Sequence, residues 1–314
     1  MTQSTQWYPD VLGPGWEART IPLGADDEGE LGATLVRRLP VRSDRAILYV
    51  HGFVDYFFQV DMAAAFAEHG YDFYALDLRK HGRSLHPGQT PNFTLELADY
   101  AAELDEAARI IGETHDSLVL LGHSTGGLIG ALWANARPGL LDALVLNSPW
   151  FDLNEPWFTR TIGTRLIDVV GRVAPRTIVG HLDPNYGTAL HRGTGGEWDY
   201  DLAWKPHEGF PVRAGWMRTI RRSQARLARG LDIQCPVLVC TSYASGAHHG
   251  WHERLLTTDS VLDVEQIIAR SPGLGPDVTI ETIPGGAHDL ALSPEPARSR
   301  YLETVLTWLE RSGR

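Results

Sequence analysis

Short apolar runs that recur along the chain restrict its fold more than any other feature of the sequence. A strand with one face in water alternates apolar and polar residues, whereas a strand covered on both faces is apolar almost throughout. Most of these runs are of the second kind, which predicts a parallel sheet buried between two layers. The runs are Ala46–Val50, Phe73–Leu76, Leu118–Leu121, Ala143–Leu146, Val237–Cys240 and Val278–Ile283.

Helical patterns lie between these runs. Apolar residues recur on one helical face at Leu97, Leu104 and Ile111, for example. Strand alternating with helix predicts a doubly wound α/β fold with a mostly parallel sheet. Nearer the start, the alternating segments Glu17–Leu23 and Leu31–Leu39 flank a turn-rich stretch, which predicts an antiparallel hairpin.

The middle of the chain departs from this alternation. A chain of 314 residues is long enough for one large domain or for a core with an insertion, since a domain averages about 150 residues. From about Trp150 to Asp232 the strand–helix pattern stops and aromatic residues are frequent. We therefore predict a core of residues 1–149 and 233–314, with an inserted, mainly helical cap of residues 150–232.

The charge of the chain limits its partners. Lys and Arg number 28 against 39 Asp and Glu, and a net charge of −11 repels phosphate backbones, so we expect no nucleic-acid partner. No apolar run reaches the roughly 18 residues of a membrane-spanning helix, and the first residues do not have the pattern of a signal peptide. We expect a cytoplasmic protein. Cys235 and Cys240 bracket an apolar run, which favours core positions over a disulfide.

The sequence Gly122-His-Ser-Thr-Gly126 follows the run Leu118–Leu121 and precedes an apolar helix. This G-x-S-x-G pattern between a strand and a helix is typical of a nucleophile elbow, a sharp turn that exposes a reactive serine. Side chains at both glycine positions would collide with neighbouring backbone. The helix that follows directs its N-terminus toward the site, where developing negative charge is stabilised. We predict that Ser124 is the nucleophile.

A second turn follows the run Ala46–Val50 and has the sequence His51-Gly52-Phe53-Val54-Asp55. It resembles the H-G turn that supplies an oxyanion-binding N–H group in enzymes with this elbow. We expect the backbone N–H groups of Phe53 and Thr125 to form the oxyanion hole. His51, and His81 in the stretch Asp77–Ser84, are expected to have structural roles, packing locally and holding loops together.

The general base and the acid come later in the chain, because the order in such enzymes is Ser, then Asp or Glu, then His. His288 lies in a turn directly after a late strand and is the predicted base. The turn after Val237–Cys240 contains no carboxylate. Asp259 begins a stretch that resembles the D-x-V-V-P turn carrying the acid, and it is the preferred acid, with Asp263 and Asp152 as alternatives.

Three further histidines have a spacing that could suggest a metal site. His248, His249 and His252 form H-H-x-x-H, but no carboxylate helix of the H-E-x-x-H kind accompanies them. A polar loop at the active site explains them equally well, and we expect no metal.

Taken together, these residues resemble the α/β-hydrolase superfamily, and within it the monoacylglycerol lipase, lysophospholipase and serine aminopeptidase-like group. The resemblance covers about residues 46–149 and 233–312. It implies an eight-stranded core, an inserted cap over the site and no cofactor. The sequence departs from the group's pattern in its long loop before the acid, in a cap that matches no lipase cap of known substrate, and in Thr125, where methionine is commoner. The resemblance rests on the motifs at His51–Phe53, Asp77–Ser84, Gly122–Gly127 and Pro284–His288.

These observations predict a serine hydrolase that cleaves carboxylic esters of small acyl substrates. One alternative is an amidase or aminopeptidase, which needs an acidic anchor for a substrate amine. Glu155, Asp199 and Asp201 of the cap are the candidates for that anchor. A second alternative is a ligand receptor that keeps the pocket without turnover. The natural substrate and the oligomeric state do not follow from the sequence.

Overall fold

A computed structural model describes residues 6–153 and 167–312 of the chain. Strands β8 and β9 pair with each other, and the nine other strands of the described chain form one sheet in the order β1-β2-β3-β5-β4-β6-β7-β10-β11. The strands are β1 (Tyr8–Pro9), β2 (Trp16–Asp26), β3 (Gly29–Arg38), β4 (Arg45–Val50), β5 (Asp72–Asp77), β6 (Ser117–His123), β7 (Ala143–Asn147), β8 (Ile178–Gly180), β9 (Val212–Arg213), β10 (Val237–Ser242) and β11 (Val278–Ile283).

Helices cover both faces of the large sheet. On one face α2, α3 and α5 pack in a buried cluster that includes Leu48 and Leu120, and on the other face α1 and α7 pack against Tyr49 and Val119. Residues 167–173 are also helical. The named helices are α1 (Val60–Glu68), α2 (Ala101–Ile111), α3 (Thr125–Ala136), α4 (Asn185–Leu190), α5 (Ala214–Leu227), α6 (Val264–Arg270) and α7 (Ala297–Arg311).

All six apolar runs are strands, and the pairs from β5 through β4, β6, β7 and β10 to β11 are parallel. The prediction of a doubly wound α/β fold is therefore confirmed. The sheet of the described residues has nine strands instead of the eight expected, because the two-residue strand β1 pairs with β2 at one edge. Parallel strands bring their carboxyl ends to the same edge of a sheet. The loops after β4, β6, β10 and β11 consequently meet there, and these loops contain the predicted site residues.

The predicted hairpin is formed by β2 and β3, which pair antiparallel. Its turn is shorter than the seven-residue stretch between the two predicted segments, because β2 continues to Asp26 and β3 begins at Gly29. A register shift between Pro22 and Ala25 lets the longer strand stay paired.

The predicted cap of residues 150–232 contains β8, β9, α4 and α5 within its described part. Helix α5 packs against α3, and its residues Trp216, Ile220 and Leu227 share a buried cluster with the sheet. The division into core and cap stays a prediction. Among the described residues, no helix has the length and apolar character needed to cross a bilayer.

Candidate active site

Ser124 stands at the sharp turn between β6 and α3. Its φ of 51° and ψ of −114° lie in a region that non-glycine residues rarely adopt, at a cost of about 1–3 kcal/mol. The turn is possible because the chain passes itself closely. A Cβ atom at Gly122 would lie 2.6 Å from the carbonyl oxygen of Gly126, and one at Gly126 would overlap the carbonyl oxygen of Val50. Both positions therefore require glycine.

The side chain of His288 lies between those of Ser124 and Asp259. Its Nε2 is 3.2 Å from Ser124 Oγ and its Nδ1 is 3.1 Å from Asp259 Oδ2. All three side chains are buried. The loop after β11 is tied to β10, because Ser242 Oγ donates to the carbonyl oxygen of Gly286 at 2.7 Å. This arrangement lets the imidazole accept a proton from the serine while the carboxylate stabilises the imidazolium.

Asp259 reaches His288 from a long loop that follows β10, which we name the acid loop (residues 243–263). The loop is closed at its base by backbone hydrogen bonds: Asp259 donates to Ala244 at 2.9 Å, and Gly246 donates to Asp259 at 2.7 Å. Asp259 Oδ1 accepts from the N–H groups of Leu262 at 2.7 Å and Val261 at 3.0 Å. These bonds leave Oδ2 directed at the imidazole.

The two alternative acids have other partners. Asp263 caps α6, where its Oδ1 accepts from the N–H of Glu265 at 2.9 Å. Asp152 lies between Arg221 and Arg270, each at 2.9 Å. Burial raises the pKa of Asp152, but its hydrogen bonds to the two arginines outweigh burial and lower the pKa overall. Asp152 thus joins the start of the predicted cap to α5 and α6.

The loop after β4 passes against Ser124 and contains the expected oxyanion residue Phe53. A Cβ atom at Gly52 would lie 3.1 Å from Ser124 Cβ. Thr125 is the first residue of α3, so its N–H precedes the hydrogen bonds of the helix. Val54 has a φ of 50°, a strained value for a β-branched side chain. Strain of this kind persists only where the surroundings enforce it.

His51 and His81 make local contacts. His51 Nε2 accepts from the N–H of Leu78 at 3.1 Å, and His81 Nδ1 donates to the carbonyl oxygen of Arg79 at 2.8 Å. Burial, together with the neighbouring His51, lowers the pKa of His81 to about 3. Both histidines therefore hold the loops after β4 and β5 in place.

A cavity of about 300 Å³ opens above Ser124. Its lining includes Phe53, whose ring stacks on Trp216 with ring centroids 3.9 Å apart. It also includes the charged side chains of Asp55 and Lys205. A pocket with apolar walls and a few polar groups is typical of a small-molecule site. Apolar residues of the lining include Phe53, Trp150, Leu153, Leu182, Val261 and Leu262, and polar residues include Asp55, His123, Tyr200, Lys205, His207 and Asp289.

The sequence reasoning missed Asp55 and Lys205. Lys205 Nζ donates to Asp55 Oδ1 at 2.6 Å, and the side chain of Asp55 is only 2% exposed. Burial raises the pKa of Asp55, but Lys205, His123 and His51 lower it by more, so the pKa is lowered overall. Asp55 belongs to the H-G turn, but nothing in the sequence near Lys205 indicates that Lys205 contacts that turn.

Three potential metal ligands lie in the lining of this cavity. Asp55, His123 and Asp289 each place one ligand atom within 4.8 Å of the others, the one such group of three among the described residues. Lys205 already binds Asp55, and Asp289 accepts hydrogen bonds from Asn147 and Gln59. Each carboxylate of the group therefore already has a hydrogen-bond donor from the protein. His248, His249 and His252 form no such group within residues 6–153 and 167–312.

Comparison with known proteins identifies the family. The Hydrolase_4 family model, described as serine aminopeptidase, S33, matches residues 42–295. The chain belongs to this family. The match includes the predicted elbow, the H-G turn and the loops of Asp259 and His288, so the Hydrolase_4 family model covers the sheet from β4 onward and the loops at its carboxyl edge.

Proteins similar to this family member include lipases and an esterase. A monoacylglycerol lipase of Mycolicibacterium smegmatis is 26% identical over 268 residues, which are 84% of this chain and 87% of that protein. A monoacylglycerol lipase of Paleococcus ferrophilus gives a TM-score of 0.65 at 19% identity and covers 94% of this chain and 99% of that one. A carboxyl esterase of Bacillus coagulans gives 0.67 at 16% identity over 94% and 98%. The fold is that of an α/β-hydrolase.

Proposed function

We propose that the protein hydrolyses carboxylic esters through an acyl-enzyme formed on Ser124. The geometry of the three side chains is the observation that carries the proposal. Ser124 Oγ, the His288 ring and Asp259 Oδ2 are joined by distances of 3.2 and 3.1 Å. Nucleophile, base and orienting carboxylate within hydrogen-bond reach are the signature of nucleophilic catalysis.

In the first half of the reaction, Ser124 Oγ attacks the acyl carbonyl carbon while His288 Nε2 accepts the serine proton. The carbonyl oxygen becomes an oxyanion, which the N–H groups of Phe53 and Thr125 stabilise. Asp259 stabilises the imidazolium. The tetrahedral intermediate then collapses, the bond to the alcohol oxygen breaks, and His288 donates its proton to the leaving alcohol.

In the second half, His288 accepts a proton from water as the water oxygen attacks the acyl carbon of the ester on Ser124. The same two N–H groups bind the new oxyanion. When the intermediate collapses, the bond to Ser124 Oγ breaks, the proton returns to the serine, and the carboxylic acid is released. Every proton is carried by His288, so this scheme needs no cofactor.

The substrate we propose is a small acyl ester with a short to medium acyl chain. The acyl chain contacts apolar residues of the cavity lining such as Phe53 and Trp150. The cavity volume of about 300 Å³ is at the lower limit for small-molecule pockets. The similarity to two monoacylglycerol lipases supports an ester as the scissile bond.

The proposal also covers partners and location. The net charge of −11 argues against a nucleic-acid partner. We propose that the protein acts in the cytoplasm.

An amidase or aminopeptidase is less favoured because the acidic anchor is weak. Asp199 is exposed and 3.9 Å from Arg192, and Asp201 is exposed and accepts from the N–H of Ala203. Glu155 lies outside the described residues. A receptor without turnover is also less favoured, since an intact hydrogen-bonded set of three catalytic groups is not required for ligand binding.

A panel of nitrophenyl esters and aminoacyl amides tests this proposal, with Ser124→Ala as the control. We expect ester turnover by the wild type and a loss of at least about 10³-fold in Ser124→Ala. A fluorophosphonate probe should label the wild type and not the variant. Amide turnover that exceeds ester turnover would contradict the proposal, and so would equal ester turnover by the two proteins.

A further inference from the structure

The loop from Phe53 to Phe58 is strained at the point where it turns away from the serine. Val54 adopts a φ of 50°, and the preceding Gly52 lies against Ser124. A β-branched residue does not keep such a φ unless other contacts hold the chain there. The position of the Phe53 N–H therefore depends on what holds the residues directly after Val54.

The side chain that follows Val54 is held from the predicted cap. Asp55 Oδ1 accepts from Lys205 Nζ at 2.6 Å, and the two side chains are 2% and 15% exposed. Asp55 Oδ2 is buried without a hydrogen-bond partner. Because the carboxylate has this one side-chain cation at hydrogen-bond distance among the described residues, the ion pair fixes where the loop can lie.

Neighbouring contacts join the same two segments. The N–H of Asp201 donates to Tyr56 OH at 2.7 Å, and the rings of Tyr56 and Trp204 meet edge to face at 5.1 Å. Lys205 Nζ itself lies 5.6 Å from the ring centroid of Phe58. Residues 201–205 thus contact the loop after β4 at Tyr56 and Phe58, and Lys205 supplies the charged contact at Asp55.

We propose that Lys205 is a positioning residue for the oxyanion hole, acting through Asp55 on the backbone N–H of Phe53. This rests on the proposed function, in which that N–H binds the oxyanion. An oxyanion donor acts only when it is aimed at the oxygen of the tetrahedral intermediate. Removing Lys205 therefore weakens binding of the transition state more than binding of the ester.

The experiment compares the wild type with Lys205→Ala and with Arg298→Ala as a matched control. Arg298 also joins the core to the predicted cap, through Glu197 at 2.7 Å, but it lies on α7, away from the loop after β4. We expect Lys205→Ala to lower kcat for a nitrophenyl ester about 10- to 100-fold with KM changed less than about threefold. Arg298→Ala should leave both constants nearly unchanged.

Two further measurements separate positioning from a merely structural role. Phenylboronic acid binds Ser124 Oγ at boron while His288 takes the serine proton, and the tetrahedral boronate so formed carries a negative charge and places one of its hydroxyl oxygens in the oxyanion hole. Its inhibition constant should rise in Lys205→Ala by the factor by which kcat falls. Methylammonium ions, which can enter the space left by the lysine, should restore part of kcat in Lys205→Ala and not in Arg298→Ala.

If Lys205→Ala leaves Asp55 buried without its cation and fails to fold, the double variant Asp55→Asn/Lys205→Ala removes both charges. We expect this variant to be folded and still low in kcat. Recovery of wild-type kcat would overturn the proposal, because Lys205 would then serve only to neutralise Asp55. Loss of turnover in Ser124→Ala with unchanged kcat in Lys205→Ala would overturn the role of Lys205 alone. Equal turnover by wild type and Ser124→Ala would overturn the proposed function as well.

Discussion

Replacing Asp259 with asparagine should place the wrong group opposite His288. Oδ1 of Asp259 accepts from two backbone N–H groups, those of Val261 and Leu262, at 3.0 and 2.7 Å. The oxygen of an asparagine must stay at that position, because an NH₂ group there would face two donors. The amide nitrogen then takes the place of Oδ2 and donates to His288 Nδ1, which leaves the proton of the neutral imidazole on Nε2.

An imidazole protonated at Nε2 cannot accept the proton of Ser124. We therefore expect Asp259→Asn to lower kcat by roughly 10³- to 10⁴-fold, about 4 to 5.5 kcal/mol of transition-state stabilisation, with a modest change in KM. Steady-state hydrolysis of a nitrophenyl ester measures this, and circular dichroism checks that the variant is folded. The matched controls Asp263→Asn and Asp152→Asn should each cost less than about tenfold. A severe loss of kcat in Asp152→Asn together with nearly unchanged kcat in Asp259→Asn would refute the assignment of the acid.

Two other expectations concern the cavity and the pH dependence of stability. Turnover should be higher for short and medium acyl esters than for emulsified long-chain triglyceride, as assayed across a series of chain lengths. A sharp rise in turnover at an oil interface would contradict this expected preference. The folded protein keeps His81 neutral because its pKa is about 3, below the usual 6.5. Between these two pH values the unfolded chain therefore binds one more proton at His81 than the folded chain does, and the free energy of unfolding should fall as the pH drops from 6.5. Denaturant titrations at a series of pH values should show that this fall is smaller in His81→Asn, by up to about 1.4 kcal/mol per pH unit. An unchanged slope would show that His81 is not the group responsible.

Local patterns in the sequence carried the prediction of Ser124 and His288. Ser124 directly follows β6, and the glycines that its turn requires lie two residues before and two residues after it. His288 lies five residues after the end of β11. The acid was harder to assign. Sixteen residues separate β10 from Asp259, and the sequence offered no sign that hydrogen bonds between Ala244, Gly246 and Asp259 close that loop.

The ion pair of Asp55 and Lys205 could not be predicted from sequence. The two residues are 150 positions apart, and Lys205 lies in a stretch without helix or strand, so no periodicity indicates where its side chain points. The same limit applies to α5. Its amphipathic pattern is visible in the sequence, but only the fold reveals that Trp216 and Ile220 pack in a cluster shared with the sheet.

The closed base of the acid loop has a consequence for how specificity can change. Ser245 and Asp259 form an isolated parallel bridge, so the aspartate is anchored independently of the residues between them. His248, His249 and Leu255 belong to that intervening stretch and line the cavity. Segments of different length or composition can therefore be grafted between residues 247 and 258 while Asp259 keeps its anchor. For directed evolution of the range of esters accepted, this stretch is the place to concentrate diversity.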